Sequence, residues 1–193
     1  QGTYASTEGS TSCKLCPVGT YLSDQGSESS WDRVACGAGK YSTTAGATGA
    51  SSCEDCGMGK YASTTGNGAE SDCVSCGAGK YLAVTGASSE TSCVACGAGK
   101  YVSSTGSDAE TDCVICGAGK YSSTEGATGA DTCQDCGAGK YATTGGKGAE
   151  SECEACGAGK YSTVVGSTSA GTCQACPALT TSPAGSDGDD DCL

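Results

Sequence analysis

Eighteen cysteines stand in this chain of 193 residues, and most of them come in Cys-x-x-Cys pairs. The pairs are Cys13/Cys16, Cys53/Cys56, Cys73/Cys76, Cys93/Cys96, Cys113/Cys116, Cys133/Cys136, Cys153/Cys156 and Cys173/Cys176, with Cys36 and Cys192 standing alone. Three chemistries use such residues. Two facing pairs can hold zinc through four thiolates, and Cys-x2-Cys-x16-Cys-x2-Cys fits a zinc-ribbon spacing. One exposed pair with a depressed thiol pKa can run thiol–disulfide exchange. Or the sulfurs can cross-link the chain.

The unpaired cysteines separate these readings. Zinc sites built from whole pairs would orphan both Cys36 and Cys192. Suppose instead that the second Cys of each pair bonds the first Cys of the next, 17 residues on. Then Cys36–Cys53, Cys56–Cys73, Cys76–Cys93, Cys96–Cys113, Cys116–Cys133, Cys136–Cys153 and Cys156–Cys173 all close, and Cys176–Cys192 closes at 16. Both odd cysteines are used. A redox role needs one reactive pair in an α/β setting, and eight copies without a helical pattern do not supply it. The expectation is a disulfide ladder with no metal and no cofactor.

Cys13 and Cys16 are left over. Seventeen residues beyond Cys16 stands Arg33, where a partner cysteine is expected. The two could bond each other, Cys13 could bond upstream sequence, or one could bond another subunit. The local Cys13–Cys16 bridge is the expected outcome, and it would make residues 1 to 35 the most reducible part.

Other chemistry is thin. GAGK resembles the start of a phosphate loop, but that motif needs G-x-x-x-x-G-K-[ST] opening a helix, and here Tyr follows the Lys. It reads as a turn with a solvated Lys. The Lys series (Lys40, Lys60, Lys80, Lys100, Lys120, Lys140 and Lys160) is expected near Glu70, Glu90, Glu110 and Glu150 of adjacent units. The run SDGDDD, Ser186 to Asp191, lacks the oxygen spacing of a calcium loop and reads as a solvated acidic turn. There is no His, and no Ser or Cys nucleophile has a base beside it in sequence. No catalytic constellation is expected.

The elements that carry the cysteines come from a repeat. From Cys53 to Cys173 the period is 20 without slippage. Tyr recurs five residues after the second Cys, at Tyr41, Tyr61, Tyr81, Tyr101, Tyr121, Tyr141 and Tyr161, and a Gly recurs five further on. Cys-Gly-x-Gly reads as a turn, because Gly tolerates φ > 0. Lys-Tyr and its neighbours read as a short strand, and the later Gly turns the chain back into a hairpin. No segment keeps a helical apolar period. The parts are a partial repeat over 1–16, a divergent repeat lacking one Cys over 17–36, seven tandem repeats over 37–176, and a partial repeat over 177–193. Trp31 and Arg33 mark the divergent repeat. One Tyr per repeat is the only large side chain in most units, which assigns it to packing at repeat junctions. The chain opens inside a unit, so it reads as a piece of a longer repetitive chain.

Composition explains why bridges are needed. Leu, Ile, Val and Phe together make only 15 residues, and the net charge is −12. Such a chain ordinarily stays disordered, because ordering the backbone costs about 1–2 kcal/mol per residue. Cross-links lower that cost by restricting the unfolded chain. The predicted fold is therefore small, disulfide-rich and all-β, an elongated rod of stacked 20-residue hairpins. Bridges place it in an oxidising setting, extracellular or at a cell surface. The acidity excludes a nucleic-acid partner, and no apolar run is long enough for a membrane span. Ser and Thr make about a quarter of the chain. Their density after each Tyr suits O-glycosylation, with Thr43, Thr44, Thr64 and Thr65 as representative sites, or simply polar loops.

The segment CPVGTYLSDQGS, Cys16 to Ser27, and the CGAGKY units resemble the ephrin-receptor-like cysteine-rich repeat, C-x-x-C-P-x-G-x-Y. More distantly they are similar to the first half of a tumour necrosis factor receptor cysteine-rich domain. The near-identical tandem also resembles long repetitive surface proteins of algae and other protists. The Pro of the motif is kept at Pro17 and Pro177 and is Gly in the units between. The resemblance implies an extracellular modular spacer or binding segment, with the Cys before the strand bonded to one shortly after it. Near-identity of the units favours a structural fibre, filament or stalk that self-associates. The alternative is a ligand-binding or adhesion ectodomain.

Overall fold

The computed structural model describes residues 2–5, 13–22 and 32–193. Trp31 and most of the divergent loop before it lie outside the described residues. The chain divides into two compact units. One is residues 1–94 with 105–110, and the other is residues 95–104 with 111–193. Both are built from the same small hairpin.

In the first unit, residues 37–56 show the pattern. The backbone N–H of Lys40 donates to the carbonyl of Gly37 and closes a turn. Strand Lys40–Tyr41 follows, then a second turn, then a three-residue 3₁₀ turn at Ala50–Ser52 and strand Glu54–Asp55. The strands pair antiparallel with Lys40 opposite Asp55 and Tyr41 opposite Glu54. Cys36–Cys53 joins the entrance of the hairpin to its return. The second unit repeats this over 117–136, with Lys120 opposite Asp135, Tyr121 opposite Gln134, and Cys116–Cys133 as the bridge. Nine such two-stranded sheets occur among the described residues. The 3₁₀ turns were not legible as elements. They arise because the chain must reverse just before each bridge, and one i→i+3 bond, such as Cys53 N–H to the carbonyl of Ala50, is enough to do it.

A two-stranded hairpin of four residues is not stable alone. Each is held by its neighbours through three recurring backbone bonds. In the first unit Gly39 N–H donates to Ala62 O, Ser42 N–H to Asn67 O, and Gly66 N–H to Cys36 O. In the second, Gly119 donates to Ala142, Ser122 to Lys147, and Gly146 to Cys116. The bonds span 23 to 30 residues, so each hairpin leans on the next.

The Cys-Gly-x-Gly turn forms as expected, and its two glycines differ. Gly39 has φ +81°, whereas Gly37 is not in the left-handed region. A Cβ on Gly37 would meet open space. A Cβ on Gly39 would overlap the backbone carbonyl of Gly86, which belongs to the hairpin after next. Gly39 is thus required twice, by its conformation and by close backbone approach. Gly37 occupies the place where Pro17 stands, a site that asks only for an ordinary negative φ.

The core is made of sulfur and small side chains. Cys56, Cys73 and Ala62 form one buried cluster, with Tyr41 of the preceding hairpin packed against it. Cys76, Cys93, Leu82 and Ala87 form another with Tyr61, and Cys136, Cys153 and Ala142 form a third with Tyr121. So little apolar area cannot offset chain ordering, and the bridges supply the difference. Each 17-residue loop contributes about 3 kcal/mol by restricting the unfolded chain. Among the described residues no buried side-chain polar atom lacks a partner.

Candidate functional site

What repeats here is a surface, and its residues are fixed by the hairpin. The cysteines come first. All eight bridges of the ladder are present, with Cα–Cα distances from 5.6 to 6.0 Å. Sixteen of the eighteen cysteines are therefore committed to disulfides. Among the described residues, no three His, Cys, Asp or Glu side chains converge as metal ligands would.

Cys16 departs from expectation. It is a free thiol, fully buried, so the local Cys13–Cys16 bridge is not formed. The reason is backbone geometry. Residues Cys13–Leu15 are an extended strand paired with Thr3–Ala5. Residues three apart in extended chain are about 10 Å apart at Cα, and a disulfide needs less than about 7 Å. The same argument covers every Cys-x-x-Cys in the ladder, because a strand such as Glu54–Asp55 separates the two sulfurs. Burial pushes the Cys16 thiol up, against smaller lowering effects from Arg33 and the Thr20 hydroxyl. A raised, buried thiol is a poor nucleophile. Arg33, in the place of its partner, lies over the ring of Tyr4, 5.0 Å from the centroid.

The seven tyrosines Tyr41 to Tyr161 are half-buried. Each bridges through its backbone to the following hairpin: Tyr41 to Asn67, Tyr61 to Ala87, Tyr81 to Ser107, Tyr101 to Ala127, Tyr121 to Lys147, Tyr141 to Ser167 and Tyr161 to Ser186. The hydroxyls of Tyr41, Tyr121 and Tyr161 reach a polar side chain on the opposite strand. Tyr41 donates to Glu54 at 3.2 Å, Tyr121 to Gln134 at 2.9 Å and Tyr161 to Gln174 at 3.2 Å. The Tyr41 hydroxyl pKa is raised, first by partial desolvation and then by the Glu54 carboxylate.

The lysines pair within their own hairpin rather than with adjacent ones. Lys60, Lys80 and Lys140 reach Glu70, Glu90 and Glu150 at 2.8, 3.3 and 2.9 Å. Both members of each pair lie between the same two bridged cysteines, because the hairpin returns the 3₁₀ turn beside the strand. Where Ala50 or Ala130 replaces that Glu, the Lys turns to the opposite strand. Lys40 meets Asp55 and Lys120 meets Asp135, each at 2.6 Å. Lys160 has Ala at both places, Ala170 and Ala175, and is more exposed than the others. These exposed pairs are worth about 0–1 kcal/mol.

Thr43, Thr44, Thr64 and Thr65 are all exposed. Thr64 differs in that its hydroxyl donates to Asn67 Oδ1 at 2.6 Å, while Asn67 Nδ2 donates to the carbonyls of Thr64 and Lys40. Thr43, Thr44 and Thr65 sit on the outward loop after the strand.

Sequence reasoning missed a second buried column. The residue after each Tyr (Leu22, Ser42, Ala62, Leu82, Val102, Ser122, Ala142 and Ser162) is buried. Its partner column is Ala47, Asn67, Ala87, Ser107, Ala127 and Ser167, also buried. The signal was present, because the first column never carries a charge. It was weak, because serine and alanine look like loop residues.

Residues 1–32 match the family described as tyrosine-protein kinase ephrin type A/B receptor-like. Over these residues the chain is similar to an ephrin-receptor-like cysteine-rich repeat. The matched residues contain Cys16–Pro17, Gly19 and Tyr21, the motif positions that recur as Cys-Gly-x-Gly-Lys-Tyr in the bridged hairpins. No curated protein matches the chain. The matched family is described as receptor-like, not as an enzyme family. No helix among the described residues is long and apolar enough to cross a membrane.

Proposed function

We infer that the chain is a structural repeat segment of an extracellular fibre, filament or stalk, without catalytic activity. The observation that carries this reading is the sameness of the junction. The Tyr backbone bridge, the Gly–carbonyl approach and the bridge-lined core recur at the same spacing in hairpin after hairpin. A segment that serves as a spacer needs the same junction many times, whereas recognition of one partner needs a distinctive surface. O-linked glycans on the exposed hydroxyls, Thr43, Thr44 and Thr65 first, would keep lateral faces hydrated. The acidic surface would act in the same direction.

A receptor or adhesion ectodomain is the second reading, and the family matched by residues 1–32 favours it. Negative-stain imaging and small-angle scattering of native material test the first reading. It predicts elongated particles or filaments, and compact particles that bind a soluble partner would overturn it. Intact mass of the native chain tests the sugar. A mass equal to the bare chain less the disulfide hydrogens would exclude glycans.

A further inference from the structure

Leu179 stands where every earlier bridged hairpin has the second glycine of its turn, as at Gly119, Gly139 and Gly159. It keeps that glycine's backbone conformation. Its φ is +73°, and among the described residues it alone takes a positive φ without being glycine. A side chain in the left-handed region is disfavoured, and such a residue is normally compensated by packing. Leu179 has none, since its relative exposure is 105%. A leucine that is both strained and unburied is not there for the stability of its own hairpin.

What the position does elsewhere explains it. A Cβ at Gly119 would overlap the carbonyl of Gly166, and one at Gly139 would overlap the carbonyl of Gly185. In both cases the obstacle is the hairpin after next. The glycine is therefore what lets two further hairpins stack. Gly159, with only one hairpin beyond it, would have only the Thr181 hydroxyl nearby, at 3.6 Å. A second change accompanies Leu179. Thr181 replaces the Tyr that packs on the following disulfide, although the hairpin itself is kept, with Thr181 and Leu193 exchanging backbone bonds at 3.0 and 2.9 Å.

We propose that the C-terminal hairpin, residues 177–193, is a stop: Leu179 blocks the stacking of more than one further hairpin of this kind, whether covalently joined or from a second copy. The hairpin it obstructs is the second one beyond, whose backbone would meet the Leu179 side chain; a first further hairpin could still bond to the N–H groups of Leu179 and Ser182 and the carbonyl of Cys176. Their counterparts Gly159 N–H, Ser162 N–H and Cys156 O bond to the next hairpin, through Ser182, Ser186 and Gly185. The inference rests on the residue at 179 and applies equally if more polypeptide follows Leu193. It also holds for either functional reading.

The test extends the full chain. After Leu193, Ala-Cys, a copy of Gly157–Cys176 and a copy of Gly157–Ala175 are appended, in one version with Leu179 kept and in another carrying Leu179→Gly. Disulfide mapping first checks that the appended cysteines pair at 17 residues in both. Residue-level hydrogen exchange then reads, in the first appended hairpin, the amide of the copied Ser162, which the second appended hairpin would cover. With Leu179→Gly its exchange should slow by about 100-fold, as for an amide that joins the ladder. With Leu179 kept it should stay fast. Equal protection in both versions, or protection in neither, would overturn the proposal.

Discussion

The N-terminal hairpin around Cys16 and the regular hairpin around Cys136 have the same backbone and different fastenings. Gly46 N–H donates to Cys16 O at 2.8 Å, and Gly166 N–H donates to Cys136 O at 2.8 Å. Both cysteines are fully buried. Yet Cys136 is bridged to Cys153, while Cys16 is a free thiol whose expected partner position holds Arg33. The difference teaches that the ladder of backbone bonds does not require the disulfide beneath it in the folded state. The bridge acts mainly on the unfolded chain, which is where a loop of this size gains its stabilising effect.

The strongest way to break the comparison is to make Cys136 resemble Cys16. Replacing both Cys136 and Cys153 by Ser should lower the local stability of residues 137–156 by about 3 kcal/mol. Residues 1–94, in the first unit, should be little changed, since each hairpin depends on near neighbours. Amide exchange resolved by segment is the measurement, and uniform loss along the chain would contradict this account.

Next in size is the contrast between the two glycines of one phrase. Gly59→Ala forces a left-handed alanine, costing about 1–2 kcal/mol, and adds an overlap with the Gly106 carbonyl. Gly57→Ala meets open space and should be neutral or stabilising by up to about 1 kcal/mol through the unfolded state. Thermal unfolding of the two variants should move in opposite directions or leave Gly57→Ala unmoved.

The reverse experiment makes the N-terminal hairpin regular. Arg33→Cys should let Cys16 form a disulfide with the introduced thiol, seen by non-reducing peptide mapping. The gain is the loop contribution of about 3 kcal/mol, less about 0.5–1 kcal/mol for the lost Arg33–Tyr4 contact, and less again if native geometry is strained. Failure of the bond to form in air-oxidised protein would mean that Cys16 differs from Cys136 in more than its partner.

The smallest effect is electrostatic. The hydrogen bond and charge of Lys60 hold the Glu70 carboxyl below its usual value. Its folded pKa lies below its unfolded one, so the pair's contribution is present above the unfolded pKa and is lost as pH falls through the folded value. Titration of Glu70 by NMR should show the depressed midpoint, and Lys60→Met should return it to the ordinary range. Salt should weaken the shift, because both groups are exposed.

Much of this was legible in the residues. The disulfide register followed from arithmetic on Cys36 and Cys192, because only pairing each second Cys with the next first Cys uses both of them, leaving Cys13 and Cys16 over. The hairpins followed from β-forming Lys-Tyr between turn residues. The pairs with Glu70, Glu90 and Glu150 were legible, but the turn of Lys40 and Lys120 to Asp55 and Asp135 was not. Lys40 and Lys60 sit in near-identical phrases, and only the fold shows that Lys40 turns to Asp55 on the opposite strand while Lys60 keeps to Glu70. The buried columns at Ser42 and Asn67 were not legible, since burial of small polar residues depends on which backbone passes over them.

The sequence by itself determined the period, the pairing of sixteen cysteines and the all-β character, because these rest on local spacing and on one-to-one chemistry. The tertiary structure decided what lies 23 to 47 residues away. It separated Gly37 from Gly39, left Cys16 without the local bridge, and showed that Leu179 holds a glycine's backbone. Those outcomes depend on close approach between hairpins that are distant in sequence. A repeat announces that such approaches recur, but only the folded backbone shows which atoms meet.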